Sequence, residues 1–191
     1  MRITDLLDAR SILLNASPKS KNEALDQIVD LMVKSEKIND KEAYRKQVYA
    51  REEESTTGIG EGIAIPHGKC DAVTKPGLAA MVVKDGVDFD SLDGEPVTLM
   101  FLIAAPNTED NIHLLSKLSV LLMNEEFTEA LRNAETVEEF MGIINDADEK
   151  EAGIDERLAG EGTAAEEETR GKVKILAVTS CPTGIAHTYM A

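Results

Sequence analysis

A histidine stands between a proline and a glycine, directly after a short apolar run. His67 follows residues 63–66, Ile-Ala-Ile-Pro, and precedes Gly68. Proline fixes the backbone on one side, whereas glycine permits unusual dihedral angles on the other. We therefore predict that the imidazole is held at an edge, where a neutral ring nitrogen can act as a nucleophile. The residues alone are also compatible with a structural histidine.

A second candidate nucleophile, Cys181, opens a loop after another apolar run. Residues 172–180 are typical of a strand, and the loop after them leads towards a helix. A thiolate is stabilised at a helix N-terminus, and loop N–H groups with nearby hydroxyls can surround a phosphate. A small cysteine buried at a strand end is the alternative. The candidate phosphate-binding residues of this loop are Thr183, Gly184, His187 and Thr188, with assistance to the thiolate as the other role open to His187.

Helical and strand patterns predict the elements that position these residues. Ser20 is expected to cap a first helix, and a second helix is expected from Asp40 to Arg51. Helical spacing of apolar residues returns after Pro106 and continues to Ile144. Helices that flank a sheet make this an α/β domain. Apolar runs bounded by Gly, Pro or charged residues predict the buried strands at residues 63–65, 78–83 and 97–103.

The composition is that of a soluble globular protein, with 42% hydrophobic and 29% charged residues. A formal net charge of -16 argues against nucleic acid as a partner, because binding to phosphate backbones depends on Lys and Arg. No apolar stretch is long enough to span a bilayer, and the N-terminus lacks the pattern of a signal peptide. We therefore expect a cytoplasmic location, and no disulfide between Cys70 and Cys181.

The composition changes near residue 148. Residues 148–171 are rich in Glu, Ala, Gly and Thr, which predicts an acidic flexible linker. Residues 172–191 supply one strand, a loop and the start of a helix. These elements cannot bury an apolar face alone, so we expect them to be the truncated start of a second domain. The predicted domains are therefore 1–147 and 172–191.

The histidine segment resembles a known phosphorylation signature. Residues 60–68, with the acidic Glu52 upstream, are similar to the phosphohistidine signature of fructose- and mannitol-type IIA domains of the bacterial sugar phosphotransferase system. Residues 181–188 resemble the phosphocysteine loop of fructose-type IIB domains. The resemblance implies a IIA domain at 1–147, built on a central mixed sheet flanked by helices, and the first strand and loop of a Rossmann-like IIB domain at 172–191.

The resemblance also implies a phosphotransferase and its partners. In that family the histidine, here His67, takes phosphate from the phosphocarrier protein HPr and gives it to a IIB cysteine, here Cys181 or its counterpart. The phosphate then passes to a sugar, usually fructose, bound by a membrane IIC domain of the full-length permease. This places the chain at the cytoplasmic face of the membrane, with no cofactor.

Further site residues follow from the same resemblance. Arg51 is similar in position to an arginine of the mannitol-type site, where a guanidinium can stabilise phosphoryl oxygens, and Glu61 is similar to a family site residue. The alternatives are an ordinary solvated arginine and a surface carboxylate. Such domains often use a second histidine at a helix start to donate to the phosphoryl group. His113 is the expected residue, because counting forward from His67 favours it, although helix phase counted back from Leu118 favours Asn111.

Two other functions remain possible at this point. Similar IIA modules occur in nitrogen-type regulators and transcription activators, which gives a regulatory phosphoacceptor as the alternative to a transport component. The attached IIB-like segment favours transport. A metal site built from His67, Cys70, His113 and Cys181 is disfavoured, because His67 and Cys70 alone do not form a clustered ligand pattern.

Overall fold

The computed structural model describes the backbone of residues 2–164 and the side chains of residues 2–151. The chain forms two compact units, Met1–Ala152 and Gly153–Ala191. The helices are α1 Ile3–Leu6, α2 Lys21–Lys34, α3 Lys41–Glu54, α4 Thr108–Leu122, α5 Glu125–Asn133 and α6 Val137–Ala164. The strands are β1 Leu7–Leu13, β2 Gly58–Gly60, β3 Ile63–Ala64, β4 His67–Lys69, β5 Gly77–Val87 and β6 Val97–Ala105.

Side-chain caps fix the starts of helices α2, α3 and α4. Ser20 accepts a hydrogen bond from the backbone N–H of Glu23 and caps α2, as its sequence predicts. Asp40 caps α3 and Asn107 caps α4 in the same way. Each cap satisfies an N–H that the first turn of a helix leaves without a partner.

The six strands form one mixed sheet in the order β1-β5-β6-β3-β2, with β4 also paired to β6. The central strands β5 and β6 are antiparallel, whereas β1 runs parallel to β5, and both β3 and β4 run parallel to β6. The predicted strands and the predicted mixed sheet are therefore confirmed.

Helices cover both faces of the sheet. Side chains of α2 and α3 share one buried cluster with alternate residues of β5, such as Ala79 and Met81. Side chains of α4, α5 and α6 share the second cluster with the intervening residues, such as Leu78 and Ala80. Alternation along the strand thus supplies an apolar layer to each face.

The strand that carries the histidine lies at an uncovered edge. Strands β3 and β4 lie along the same side of β6, separated by Ile65 and Pro66. Strand β2 pairs with β3, so it covers that segment but not β4. The predicted edge position of His67 is therefore correct, although His67 begins a short strand of its own rather than following one in a loop.

The predicted linker differs from the structure at its beginning. Helix α6 continues through Ala164, whereas the composition predicted flexible chain from residue 148. Asp148 is 2% exposed, and its carboxylate accepts hydrogen bonds from the backbone N–H and the hydroxyl of Thr4. The physical reason is that Glu and Ala are good helix formers, so an acidic Ala-rich segment can continue a helix. None of the helices within the described residues is both long and apolar enough to cross a membrane.

Candidate active site

Two hydrogen bonds define the protonation pattern of the His67 ring. Nδ1 lies 3.0 Å from the carbonyl oxygen of Ile65, and Nε2 lies 3.0 Å from Nε of Arg51. A carbonyl oxygen can only accept and a guanidinium nitrogen can only donate. Nδ1 therefore carries the proton, and Nε2 presents its lone pair.

The environment of His67 favours this neutral ring. Burial lowers the pKa of the imidazole below 6.5, the hydrogen bond to the Ile65 carbonyl opposes that shift, and the positive charge of Arg51 adds to it. A neutral imidazole retains a nucleophilic nitrogen at neutral pH. The site can thus supply a nucleophile without first losing a proton.

Arg51 is held beside the histidine by the end of its own helix. It lies in the last turn of α3, and its Nη1 donates to the carbonyl oxygen and the hydroxyl of Ser55, at 3.1 and 3.3 Å. These bonds direct the guanidinium towards Nε2 of His67. The structure therefore brings together His67 and Arg51, which the family resemblance implies as the nucleophile and a phosphoryl-stabilising residue.

Close packing of α3 on β4 makes this approach possible. A Cβ at Gly68 would lie 2.9 Å from Val48 and 3.0 Å from Tyr44, both in α3. The Tyr44 hydroxyl donates to the carbonyl of Ile103, the partner of His67 in the sheet, at 2.8 Å. Glycine at position 68 therefore lets the helix sit close enough for Arg51 to reach over the sheet edge.

The side chain of His67 lies on the opposite face of the sheet, towards α4. Successive side chains of a strand point to opposite faces, and Gly68 faces α3. Lys69 shares the His67 face, and its Nζ donates to the hydroxyl of Thr108, the first residue of α4, at 2.8 Å. Lys69 and Thr108 are polar neighbours that the sequence analysis did not single out.

Helix α4 presents Asn111, not His113, on the side that faces the sheet. Asn111 precedes the buried Leu114 and Leu118 at helical spacing, and its Oδ1 is buried with no hydrogen-bond partner in the described part of the chain. His113 lies two residues on, about 200° around the helix axis, and is exposed. Since α4 begins at Thr108, His113 also lies beyond the free N–H groups of the first turn. The expectation that His113 fills the second position is not supported by this geometry.

Glu61 does not join the other residues of the candidate site. It is exposed in the turn between β2 and β3, and the described side chains provide no hydrogen bond or ion pair between it and Arg51 or His67. The neighbouring Gly62 carbonyl accepts from Leu99, whereas His67 pairs with Ile103. These positions on β6 are about 13 Å apart at about 3.3 Å per residue. An extended segment thus separates the two residues, and the exposed position of Glu61 matches the alternative of a surface carboxylate.

Of the two cysteines, only Cys70 lies within the residues that the structure describes. Cys70 is half-buried and packs against the core on the α3 side. The structure described here holds no group of three or more His, Cys, Asp or Glu residues suited to a metal ion. The second candidate nucleophile, Cys181, and the predicted loop residues Thr183, Gly184, His187 and Thr188 lie outside the described residues.

Known proteins share both the sequence and the fold. The "PTS system fructose-specific EIIABC component" of Bacillus subtilis is 47% identical over 193 residues, which cover 100% of this chain and 30% of that protein. The chain thus spans less than a third of that relative. The "PTS system fructose-specific EIIA component" of Haloferax volcanii is 37% identical over 144 residues, covering 74% of this chain and 94% of that protein.

A solved structure and a family profile give the same result. The nitrogen regulatory protein IIA-Ntr from Neisseria meningitidis superposes with a TM-score of 0.68 and 30% identity, covering 74% of this chain and 98% of that one. The profile of the family described as "Phosphoenolpyruvate-dependent sugar phosphotransferase system, EIIA 2" matches residues 5–147. The chain therefore belongs to the EIIA 2 family of the phosphoenolpyruvate-dependent sugar phosphotransferase system.

Proposed function

We propose that this chain accepts a phosphoryl group from the phosphocarrier protein HPr on Nε2 of His67 and passes it to a IIB cysteine, for the uptake and phosphorylation of fructose. The observation that carries the proposal is the pair of hydrogen bonds on the imidazole. One bond fixes the proton on Nδ1, and the other places a guanidinium 3.0 Å from Nε2.

The first transfer uses the lone pair of Nε2. It attacks the phosphorus of the donor phosphohistidine in line, the new N–P bond forms, and the P–N bond to the donor breaks with its electrons returning to the donor ring. Arg51 must release Nε2, since that nitrogen has one lone pair. The guanidinium then lies beside the peripheral phosphoryl oxygens, where its N–H groups can stabilise their charge.

The second transfer reverses the role of the histidine. A cysteine thiolate attacks the phosphorus, the S–P bond forms, and the N–P bond breaks, which returns the electron pair to Nε2 of His67. Cys181 or its counterpart in a IIB domain is the acceptor that we assign. A membrane IIC domain supplies the sugar that finally receives the phosphate.

The choice of fructose and of transport rests on the relatives. The Bacillus relative named as fructose-specific EIIABC aligns with all of this chain, including the residues around Cys181. The likeness to IIA-Ntr makes a regulatory phosphoacceptor the second candidate, and it covers 74% of the chain. The full-length alignment favours the transport component.

Phosphate labelling tests the assignment. The chain is incubated with labelled phosphoenolpyruvate, the general phosphotransferase enzyme and HPr, and the labelled residue is mapped by mass spectrometry. We expect an acid-labile label on His67 that moves to a stable cysteine label when an intact IIB domain is added. His67→Ala should take up no label while its circular dichroism and melting temperature stay close to those of the parent chain.

His113→Ala is the matched control, because it removes an exposed histidine that lies away from this geometry. It should be labelled normally. Labelling of a folded His67→Ala variant would refute the proposal. A label that forms on His67 but reaches no IIB cysteine would favour the regulatory candidate.

A further inference from the structure

The buried carboxylate of Glu52 follows Arg51 in the chain and takes no part in the proposed phosphate transfer. Glu52 follows Arg51 in the last turn of α3, and its side chain is 5% exposed. A carboxylate near a helix C-terminus is disfavoured by the helix dipole, and burial adds a large cost unless the charge is paired. Its position therefore requires strong local partners.

Lys21 is the charged partner of Glu52. Its Nζ lies 2.8 Å from Oε1 of Glu52 and 4.9 Å from the centre of the Phe89 ring. Asp90 lies farther away, at 3.7 Å. Lys21 is the first residue of α2, where the dipole disfavours a cation. The helix dipole thus disfavours the charge of each residue at its own helix end. The ion pair between Lys21 and Glu52 joins α2 to α3.

Glu52 uses its remaining hydrogen-bonding capacity on one residue of the following loop. Oε1 accepts from the backbone N–H of Thr57 at 2.9 Å, and Oε2 accepts from the Thr57 hydroxyl at 2.5 Å. Thr57 is itself 4% exposed. Two charge-assisted bonds in a buried setting hold this backbone segment firmly.

The loop of residues 55–57 contacts the partners of both ring nitrogens of His67. The carbonyl of Thr57 accepts from the N–H of Ile65 at 3.0 Å, and the carbonyl of Ile65 accepts from Nδ1 of His67. The same loop includes Ser55, whose carbonyl and hydroxyl hold the guanidinium of Arg51.

We propose that Glu52, neutralised by Lys21, is a positioning residue that fixes the loop of residues 55–57 and thereby sets the tautomer of His67 and the placement of Arg51. It acts through Thr57 and Ile65 and does not touch the phosphoryl group. Its effect on rate rests on the proposed function of His67, whereas its effect on the imidazole does not.

The test combines ring nitrogen chemical shifts with phosphoryl-transfer rates in the intact chain. Nitrogen NMR of the unphosphorylated protein distinguishes a protonated from an unprotonated ring nitrogen. We expect a protonated Nδ1 and an unprotonated Nε2 in the parent chain. Glu52→Gln, which keeps the shape of the side chain but removes its charge, should shift both nitrogens towards an averaged value and slow phosphate acceptance by about tenfold.

A second pair of variants keeps the test decisive if Glu52→Gln does not fold. Thr57→Val removes the hydroxyl that Glu52 holds and should show the same two changes. Thr57→Ser retains a hydroxyl and should restore the parent behaviour. A role limited to stability would lower the melting temperature without moving the ring nitrogen shifts.

Asp26→Asn is the control. Asp26 pairs with Arg45 at 2.6 Å and also joins α2 to α3, but within the described part of the chain no hydrogen bond or ion pair links it to the loop of residues 55–57. It should change neither the nitrogen shifts nor the rate. Unchanged nitrogen shifts in folded Glu52→Gln or Thr57→Val would overturn the positioning role. Failure of the parent chain to take phosphate would overturn only the proposed function, because the nitrogen shifts report on the imidazole alone.

Discussion

At the scale of single residues, the proposed function requires the hydrogen bond between Arg51 and His67 to open before the phosphoryl group is transferred. The Nε–H of Arg51 occupies the lone pair that the reaction needs, at 3.0 Å. A guanidinium in this place has two uses, since it lowers the basicity of the ring before transfer and can meet phosphoryl oxygens during transfer. The contact is therefore better suited to a reactive site than to a permanent structural bond.

The first prediction concerns the shape of that cation. Arg51→Ala should slow transfer from HPr to His67 more than about tenfold, equivalent to about 1.4 kcal/mol of transition-state stabilisation. Arg51→Lys should recover only part of the rate, because an ammonium cannot hold Ser55 and two phosphoryl oxygens in the same planar geometry. Rapid-quench kinetics measure both, and parent rates in the alanine variant would return Arg51 to a structural role.

The second prediction concerns pH. Burial disfavours the charged imidazolium, so the pKa of His67 lies below 6.5 and the ring stays neutral as the pH falls through that value. The rate of phosphate acceptance should therefore be sustained to a pH below about 6.5, the value of an unperturbed histidine, and fall only under more acidic conditions. NMR titration of the ring checks the shift, with the urea-unfolded chain as control. Equal titration in both states contradicts it.

At the scale of elements, α4 offers a matched pair for the third prediction. Asn111 lies on the stripe that faces the sheet, and its Oδ1 is buried, whereas His113 lies on the outer surface. Asn111→Ala should slow transfer by several-fold or more, because it removes from this face of α4 an amide that can donate an N–H to a phosphoryl group on His67. His113→Ala should leave the rate unchanged. The reverse order of effects would restore the histidine to the second position.

Most of the longer elements were predictable from the sequence, whereas several short ones were not. Helices α2 and α3 carry clear caps, and β5 and β6 are long apolar runs, so pattern alone located them. Strands β2 and β4 have three residues each, too few for any alternation to be visible. Strand β1 was missed because its burial does not alternate.

Some residues of the candidate site were predictable from the sequence, and others were not. His67 and Arg51 were predicted because a motif and its spacing include them, and helix α3 carries the arginine to the histidine. Glu61 was expected from the family resemblance, which does not show that β3 and the two residues after it separate its turn from His67. The roles of Ser55 and the Ile65 carbonyl were not predictable, since they depend on backbone positions created by the fold.

At the scale of the whole molecule, Asp148 lies near the boundary of the first compact unit, although the composition of residues 148–171 predicted a linker there. Asp148 has a side chain that is 0% exposed, and it binds Lys117 of α4 at 2.9 Å as well as the backbone of Thr4 at 3.1 Å. One carboxylate thus ties the start of the chain, α4 and α6 together. The unit that folds as a whole should therefore include Asp148 and end near residue 152.

The last prediction compares two fragments that differ across this boundary. Residues 1–152 should fold and accept phosphate on His67 at the rate of the full chain, because every contact that holds the histidine lies within them. Residues 1–147 should still accept phosphate but be less stable by about 1–3 kcal/mol, since the backbone N–H of Thr4 loses its acceptor. That loss corresponds to a melting temperature lower by about 3–10 °C. Asp148→Ala in the longer fragment is the control and should reproduce most of the loss. Equal melting temperatures for the two fragments would place the boundary at residue 147 after all and leave Asp148 without a structural role.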